Sequence, residues 1–185
     1  MDEQQGTGWR VLSSSYPIAT PFLRLRSDVI ELPDGSIIDN YYVRESLGFT
    51  IIFALTPDEQ VILVRQYKHG AAQMLLELPA GAIDEGETAA ECAQRELAEE
   101  TGYVGDPPQL VRTYLADPTN SNGSFHLFMV RHAELRATQT FDLTEDIAVE
   151  LVALGELRAM LRDGRIHTGS HVASIYAALD YLALL

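Results

Sequence analysis

Three glutamates, Glu96, Glu99 and Glu100, stand at the i, i+3 and i, i+4 spacing that brings side chains together on one face of an α-helix. The residues around them favour that helix. Thr88 followed by Glu91 has the spacing of a capping box, Ala, Leu, Gln, Arg and Glu propagate the turns, and Gly102 ends them. Like charges so placed repel by roughly a few tenths of a kcal/mol per pair on an exposed helix, and by more in a cleft, so a positive partner is expected. Arg95 lies beside the cluster, where it is better placed to orient a carboxylate than to neutralise all three. Clustered carboxylate oxygens suit hard divalent cations, Mg²⁺ or Mn²⁺, that keep some of their water for chemistry.

Other residue types with chemical capacity are fewer. Arg65-Gln66-Tyr67-Lys68 breaks an apolar run just before a Gly-containing loop, which fits either cations reaching a substrate or a strand end reaching water. Asp117 to Ser124 (DPTNSNGS) has the composition of a ligand-contacting loop and equally of an exposed turn. His69, His126, His132, His167 and His171 form no zinc-binding spacing. No G-x-S-x-G accompanies the serines, and Cys92, the one cysteine, sits on the small-residue side of the acidic helix, where packing is its expected role.

Hydrophobic periodicity supplies the elements that must hold these groups. Strands are predicted over Trp9 to Ser14, Phe22 to Leu32 and Ile37 to Arg44, the last two joined by the turn Pro33-Asp34-Gly35. Gly48 to Leu55 and Val61 to Tyr67 read as a hairpin around Thr56 to Gln60. Pro79 and Gly81 then constrain the approach to the acidic helix. Beyond it come strands at Gln109 to Ala116, Phe125 to Ala133 and Ile147 to Leu154, and helices at Glu156 to Arg162 and about His171 to Leu184. Strands on both sides of a central helix, with helices again at the end, predict a layered α/β domain. Residues 1–46 form a separate, thin N-terminal β unit that needs another surface to pack on, and residues 47–185 the main domain.

The chain has 185 residues, enough for one well-formed core, and a net charge of −14, which argues against non-specific binding to nucleic acid or an anionic membrane. No run is long and apolar enough to span a bilayer, the acidic start has no apolar h-region, and a cytoplasmic protein is expected.

The stretch from Gly81 to Tyr103 resembles the Nudix box, G-x5-E-x7-R-E-U-x-E-E-x-G-U with U a bulky apolar residue. Gly81, Glu87, Arg95, Glu96, Leu97, Glu99, Glu100, Gly102 and Tyr103 fill its fixed positions, with Tyr103 at a U position. Outside the box, LPDGSIIDNYYV, VRQYK, LELPAG and Pro118, fifteen positions beyond Tyr103, are similar to the ADP-ribose pyrophosphatase branch of that family. The resemblance implies an α/β/α sandwich with a mixed β-sheet plus a small N-terminal antiparallel unit. It implies a nucleotide-sugar substrate such as ADP-ribose, hydrolysed to AMP and a sugar phosphate, and a homodimer built through residues 9–44. It further implies metal ligation by Glu96, Glu99, Glu100 and the Ala80 carbonyl, with Mg²⁺ as the ion and Mn²⁺ as a substitute. Lys68, Arg65 and Pro118 would contact substrate, and Glu99 or Glu145 would serve as general base. Relatives often read R-Q-Y-R, where this chain has Lys68, and D-E-x-E-D-I, where Leu143 leaves Glu145 as the better base. Two alternatives remain: a pyrophosphatase for another nucleotide sugar or dinucleotide, and a sensor of the same fold that binds without cleaving.

Overall fold

The computed structural model describes residues 8–140 and 146–184. They fall into two compact units, one comprising Met1–Ser46 and Leu115–Ser124, the other Leu47–Tyr114 and Phe125–Leu185.

In the first unit, β1 (Arg10–Ala19), β2 (Arg24–Glu31) and β3 (Ile37–Glu45) form an antiparallel sheet in that order. The turn between β2 and β3 is as the sequence predicts: Gly35 takes φ +82°, which a side chain would resist, and Asp34 accepts a hydrogen bond from the Ser36 amide. β1 runs well past its expected end at Ser14, and every one of its residues is exposed. The 115–124 segment belongs here because it runs along the free edge of β3. Arg44 N–H donates to Asn120 O at 2.7 Å, Asn122 N–H to Arg44 O at 3.4 Å, and the Tyr41 hydroxyl to Thr119 O at 2.7 Å.

The second unit carries β4 (Phe49–Ala54), β5 (Gln60–Lys68), a 3₁₀ turn at His69–Ala71, β6 (Gln73–Glu77) and β7 (Ala80–Ala82). The helix α1 (Ala89–Thr101) follows, then β8 (Tyr103–Val104), β9 (Gln109–Leu115), β10 (Ser124–Val130) and β11 (Glu134–Leu135). β12 (Ile147–Ala153), α2 (Leu154–Arg162) and α3 (Gly169–Tyr181) close it. One sheet has the order β7-β4-β10-β9, with β10 parallel and β7 antiparallel to β4; a second, β12-β5-β6, is antiparallel.

The expected hairpin between β4 and β5 is corrected here. The turn exists, with Thr56 N–H bonded to Gln60 O, but the two strands share one isolated bridge, Leu55 to Val61, and then enter different sheets. Both are apolar on both faces, so each needs partners on both edges, and hydrophobicity does not say which partners.

Alternation along these strands separates two apolar layers. Ile51, Phe53, Val61, Leu63, Leu127 and Met129 pack with Leu157 and Met160 of α2 and Ile175, Ala178 and Leu179 of α3. Ile52, Ala54, Ile62, Phe128 and Val130 pack with Ala93 and Leu97 of α1. Neighbouring residues of one strand thus enter opposite layers, and the acidic helix packs in the layer opposite α2 and α3.

Candidate active site

α1 begins as its sequence dictates. Thr88 is the N-cap, Glu91 N–H donates to the Thr88 hydroxyl oxygen, and the Thr88 amide donates to the Glu91 carboxylate at 2.9 Å, closing the capping box. Gly102 ends the helix with φ +75°. Burying Ala93 and Leu97 against the sheet fixes the rotation of the helix, and that rotation grades the three glutamates. Glu100 is 2% exposed, the Glu96 side chain 12% and the Glu99 side chain 44%. One edge of the cluster therefore lies in the protein and the other opens to solvent.

The strand β7 meets the buried edge. Ala80 N–H donates to Glu100 Oε2 at 2.9 Å. Ile52 N–H bonds Pro79 O and Ile83 N–H bonds Gly48 O, so the ladder between β4 and β7 uses every second residue and Ala80 falls between. Its N–H and C=O turn away from β4, to the side where Glu100 stands. Gly81 is required by the same approach: a Cβ there would lie 1.8 Å from Glu96 Cδ. The carboxylate of Glu96 thus occupies the space that a side chain at position 81 would take.

Arg95 does more than the sequence suggests. Its Nε and Nη2 donate to the two oxygens of Glu87 at 2.8 and 2.9 Å, and its Nη1 bridges Glu96 Oε1 at 2.7 Å and Glu99 Oε2 at 3.0 Å. Nη2 also donates to Ala82 O at 3.1 Å. The fork geometry explains why this base is an arginine. Hydrogen bonding to Arg95 holds the Glu87 carboxyl down to about 2, and the carboxylates raise the Arg95 guanidinium further above its already high value. Glu87 in turn accepts from the Asp84 amide, tying the loop before the helix. Cys92 is buried, with Sγ 3.3 Å from the Thr50 hydroxyl and from Ala82 O, and burial pushes its thiol up to about 11, which leaves it unreactive.

The other expected site residues are placed as follows. Lys68 Nζ lies 3.9 Å from Glu77 Oε2. Arg65 donates to Glu150 Oε1 on β12 at 2.5 Å, and three positions from Lys68 along one strand it has the opposite facing parity, so β5 does not present the two cations together. Pro118 belongs to the first unit. Glu145, with Asp142 and Leu143, lies outside the described residues. Of the expected ligands, Glu96 and Glu99 meet at Arg95 Nη1 and Glu100 meets the Ala80 amide, all within the second unit.

Sequence reading overlooked three residues. Glu77, at the end of β6, is 3% exposed; its Oε1 accepts from the Thr168 hydroxyl at 2.6 Å and lies 3.7 Å from His171 Nε2. The one signal was a charge inside the apolar stretch Leu75-Leu76-Glu77-Leu78. His171 and Thr168 gave none, because their partners lie some ninety residues away in sequence.

The donor set fits a divalent cation: three carboxylates of graded exposure on one helix face, a neighbouring peptide turned to the same side, and a glycine that makes room. Among the described residues no three acidic, His or Cys side chains already converge as a metal cage, and Arg95 spans Glu96 and Glu99. Admitting a cation there requires these side chains to rearrange about a fixed backbone.

Residues 46–170 match the model of the NUDIX domain, and residues 9–43 that of the nucleoside diphosphate sugar hydrolase N-terminal domain. The chain is 28% identical to the methanol dehydrogenase activator of Bacillus methanolicus over 88% of its own length and 85% of that protein's. It is 26% identical to the ADP-ribose pyrophosphatase of Bacillus subtilis, covering 84% of this chain and 82% of that protein. It is 34% identical to the GDP-mannose pyrophosphatase of Yersinia enterocolitica, covering 68% and 69%. A crystal structure described as an ADP compounds hydrolase superposes with a TM-score of 0.83 over 95% of this chain and 94% of that one, at 19% identity, which establishes a shared fold.

Proposed function

This chain belongs to the Nudix domain family, as a nucleoside diphosphate-sugar hydrolase, and we propose that its substrate is ADP-ribose or a related ADP-sugar, cleaved at the diphosphate to AMP and a sugar phosphate. A divalent cation serves this family; the hard oxygen donors here favour Mg²⁺, with Mn²⁺ as a substitute. When bound, the cation neutralises phosphate charge and acidifies water at neutral pH.

The observation that carries the reading is the buried Glu100, bonded to the Ala80 amide, beside a Glu96 lodged over Gly81. A carboxylate buried on a sheet edge is costly unless it serves something more than solvation. Glu96, Glu99, Glu100 and the Ala80 carbonyl would hold the cation. Arg95 and Glu87 act on the carboxylates themselves, Arg95 fixing rotamers and Glu87 the loop. Glu145, with Glu99 as the alternative, would orient or deprotonate the attacking water. Lys68 neutralises substrate phosphate, and Arg65, paired with Glu150, is the weaker candidate. Pro118 would contact the nucleotide.

We also propose that the chain acts as a homodimer through its first unit. Val11, Leu12, Tyr16 and Ile18 of β1 are exposed apolar side chains, and Phe22 beside it is 98% exposed. A strand with an apolar surface on this scale calls for a covering partner, and a second copy supplies one. No helix among the described residues is long and apolar enough to cross a membrane, and a cytoplasmic location is the proposal consistent with the acidic, single-cysteine composition.

The test is product analysis over ADP-ribose, other nucleotide sugars and dinucleotides, with Mg²⁺ and with chelator, for the native protein and Glu100→Gln. Metal-dependent AMP and ribose 5-phosphate from ADP-ribose, well above the rest of the panel, is expected. Glu100→Gln should lower turnover by more than about a hundredfold, beyond the range of groups that merely support a ligand. Preferential cleavage of a GDP-sugar or a dinucleotide would discard the ADP-sugar assignment, and tight binding without turnover would make the chain a sensor.

A further inference from the structure

The segment Glu77 to Gly81 passes from β6 to β7, and its residues are shared among three parts of the second unit, the start of α3, β4 and α1. Pro79 O accepts from Ile52 N–H of β4 at 2.9 Å, Ala80 N–H donates to Glu100 of α1, and Gly81 lies under Glu96. Upstream, Leu78 N–H donates to His171 Nδ1 at 3.2 Å, and Glu77 accepts from Thr168. His171 and Thr168 stand at the start of α3, on the opposite side of the sheets from α1.

Two features show that this contact is favoured over local structure. Thr168 is the N-cap of α3, yet its hydroxyl makes no capping bond and donates instead to Glu77. An N-cap hydroxyl stabilises its own helix, so directing it elsewhere is a local loss set against a tertiary gain. His171 and Glu77 are also almost wholly buried, at 6% and 3% exposure. Buried polar side chains on two elements serve a fixed geometry better than they serve stability. Accepting from Leu78 makes His171 Nδ1 a bare nitrogen, which places the ring proton on Nε2, facing Glu77 Oε1. Burial disfavours the charged ring, Glu77 opposes that and Lys68 adds to it, so the imidazole lies well below its ordinary value and stays neutral.

We propose that His171, with Glu77 and Thr168, is a positioning clamp that sets the Leu78-Pro79-Ala80 backbone and thereby aims the Ala80 peptide at the metal site. The inference rests on the assignment of Ala80 and Glu100 to that site. None of the three touches substrate or cation; they act through the backbone two residues upstream of Ala80. The same Glu77 lies against Lys68, so one carboxylate coordinates the strap and the candidate phosphate-binding cation.

Asparagine at 171 carries its amide oxygen near the place of Nδ1 and keeps an acceptor for Leu78, whereas glutamine carries its amide to the place of Nε2 and loses that acceptor. The experiment compares native protein, His171→Asn, His171→Gln and Glu100→Gln by Mn²⁺ titration, amide exchange at Leu78, and kcat and KM. The expected result is slow Leu78 exchange in the native protein. His171→Gln should weaken Mn²⁺ affinity and kcat by about tenfold or more with faster Leu78 exchange, and His171→Asn should restore all three to within about threefold. Unchanged Mn²⁺ affinity in folded His171→Gln, or equal losses in both His171 variants, overturns the clamp while leaving the metal site standing. Fast Leu78 exchange in the native protein overturns it whether or not a variant folds. Native-like Mn²⁺ affinity in Glu100→Gln overturns the metal site and the clamp with it.

Discussion

Gly81 and Glu96 show how closely chemistry is bound to sterics at the level of single residues. The glycine is not in a turn that only glycine can adopt; its hydrogen leaves the space that the Glu96 carboxylate fills. Gly81→Ala should therefore displace the far end of a flexible side chain, at small cost in stability, while moving a candidate ligand. The expected outcome is a melting temperature within a few degrees of native, a shift that corresponds to about 1 kcal/mol or less, with activity down by about tenfold or more. A parallel fall in both would make the glycine a packing residue only. Arg95 belongs at the same scale: the box requires an arginine because one planar fork reaches Glu87, Glu96, Glu99 and Ala82 O together, which a lysine does not match.

At the scale of elements, α1 is a self-sufficient helix and α3 is not. The former carries its own capping box; the latter gives its N-cap hydroxyl to Glu77 and its first buried side chain, His171, to Leu78. Stability should then carry an acid signature from α3. With the folded His171 well below its ordinary 6.5, the unfolded chain binds the proton more readily, so unfolding is favoured as pH falls. The contribution is present above 6.5 and is lost as pH falls from there toward the folded value, with Glu77, Lys68 and Thr168 as the facing groups. Denaturant titrations from pH 7 down to about 5 should show the native protein losing more stability than His171→Asn. Equal slopes would mean that other groups carry the acid limb.

At the scale of the whole molecule, the first unit poses a question of partnership that one copy does not answer. Ile18→Asp, on β1, places a charge in the proposed interface without touching the acidic helix. Sedimentation of the native protein should give a dimer and of the variant a monomer, with Mn²⁺ affinity of the second unit unchanged. A native monomer at micromolar concentration would remove the dimer. The loop carrying Pro118 is fastened to β3 through Arg44, Asn120 and the Tyr41 hydroxyl, within the first unit.

The sequence by itself determined the acidic helix, its caps, its three aligned glutamates and the family they belong to, because those features depend on spacing within a few turns of chain. It also showed β1 to β5, β9, β10 and β12, since burial on one or two faces leaves a period of 2 or a continuous apolar run, but not the short β6, β7, β8 and β11. The tertiary structure alone decided which strands pair. It separated β4 from β5 into two sheets, added β6 from a short half-exposed stretch, and joined residues 115–124 to the first unit. It alone graded Glu96, Glu99 and Glu100 by burial, gave Arg65 to Glu150, and brought His171 and Thr168 to Glu77 and Leu78. Local spacing constrains torsions and faces, whereas pairing and burial depend on contacts between residues tens of positions apart, and no local pattern encodes which of several apolar edges will meet.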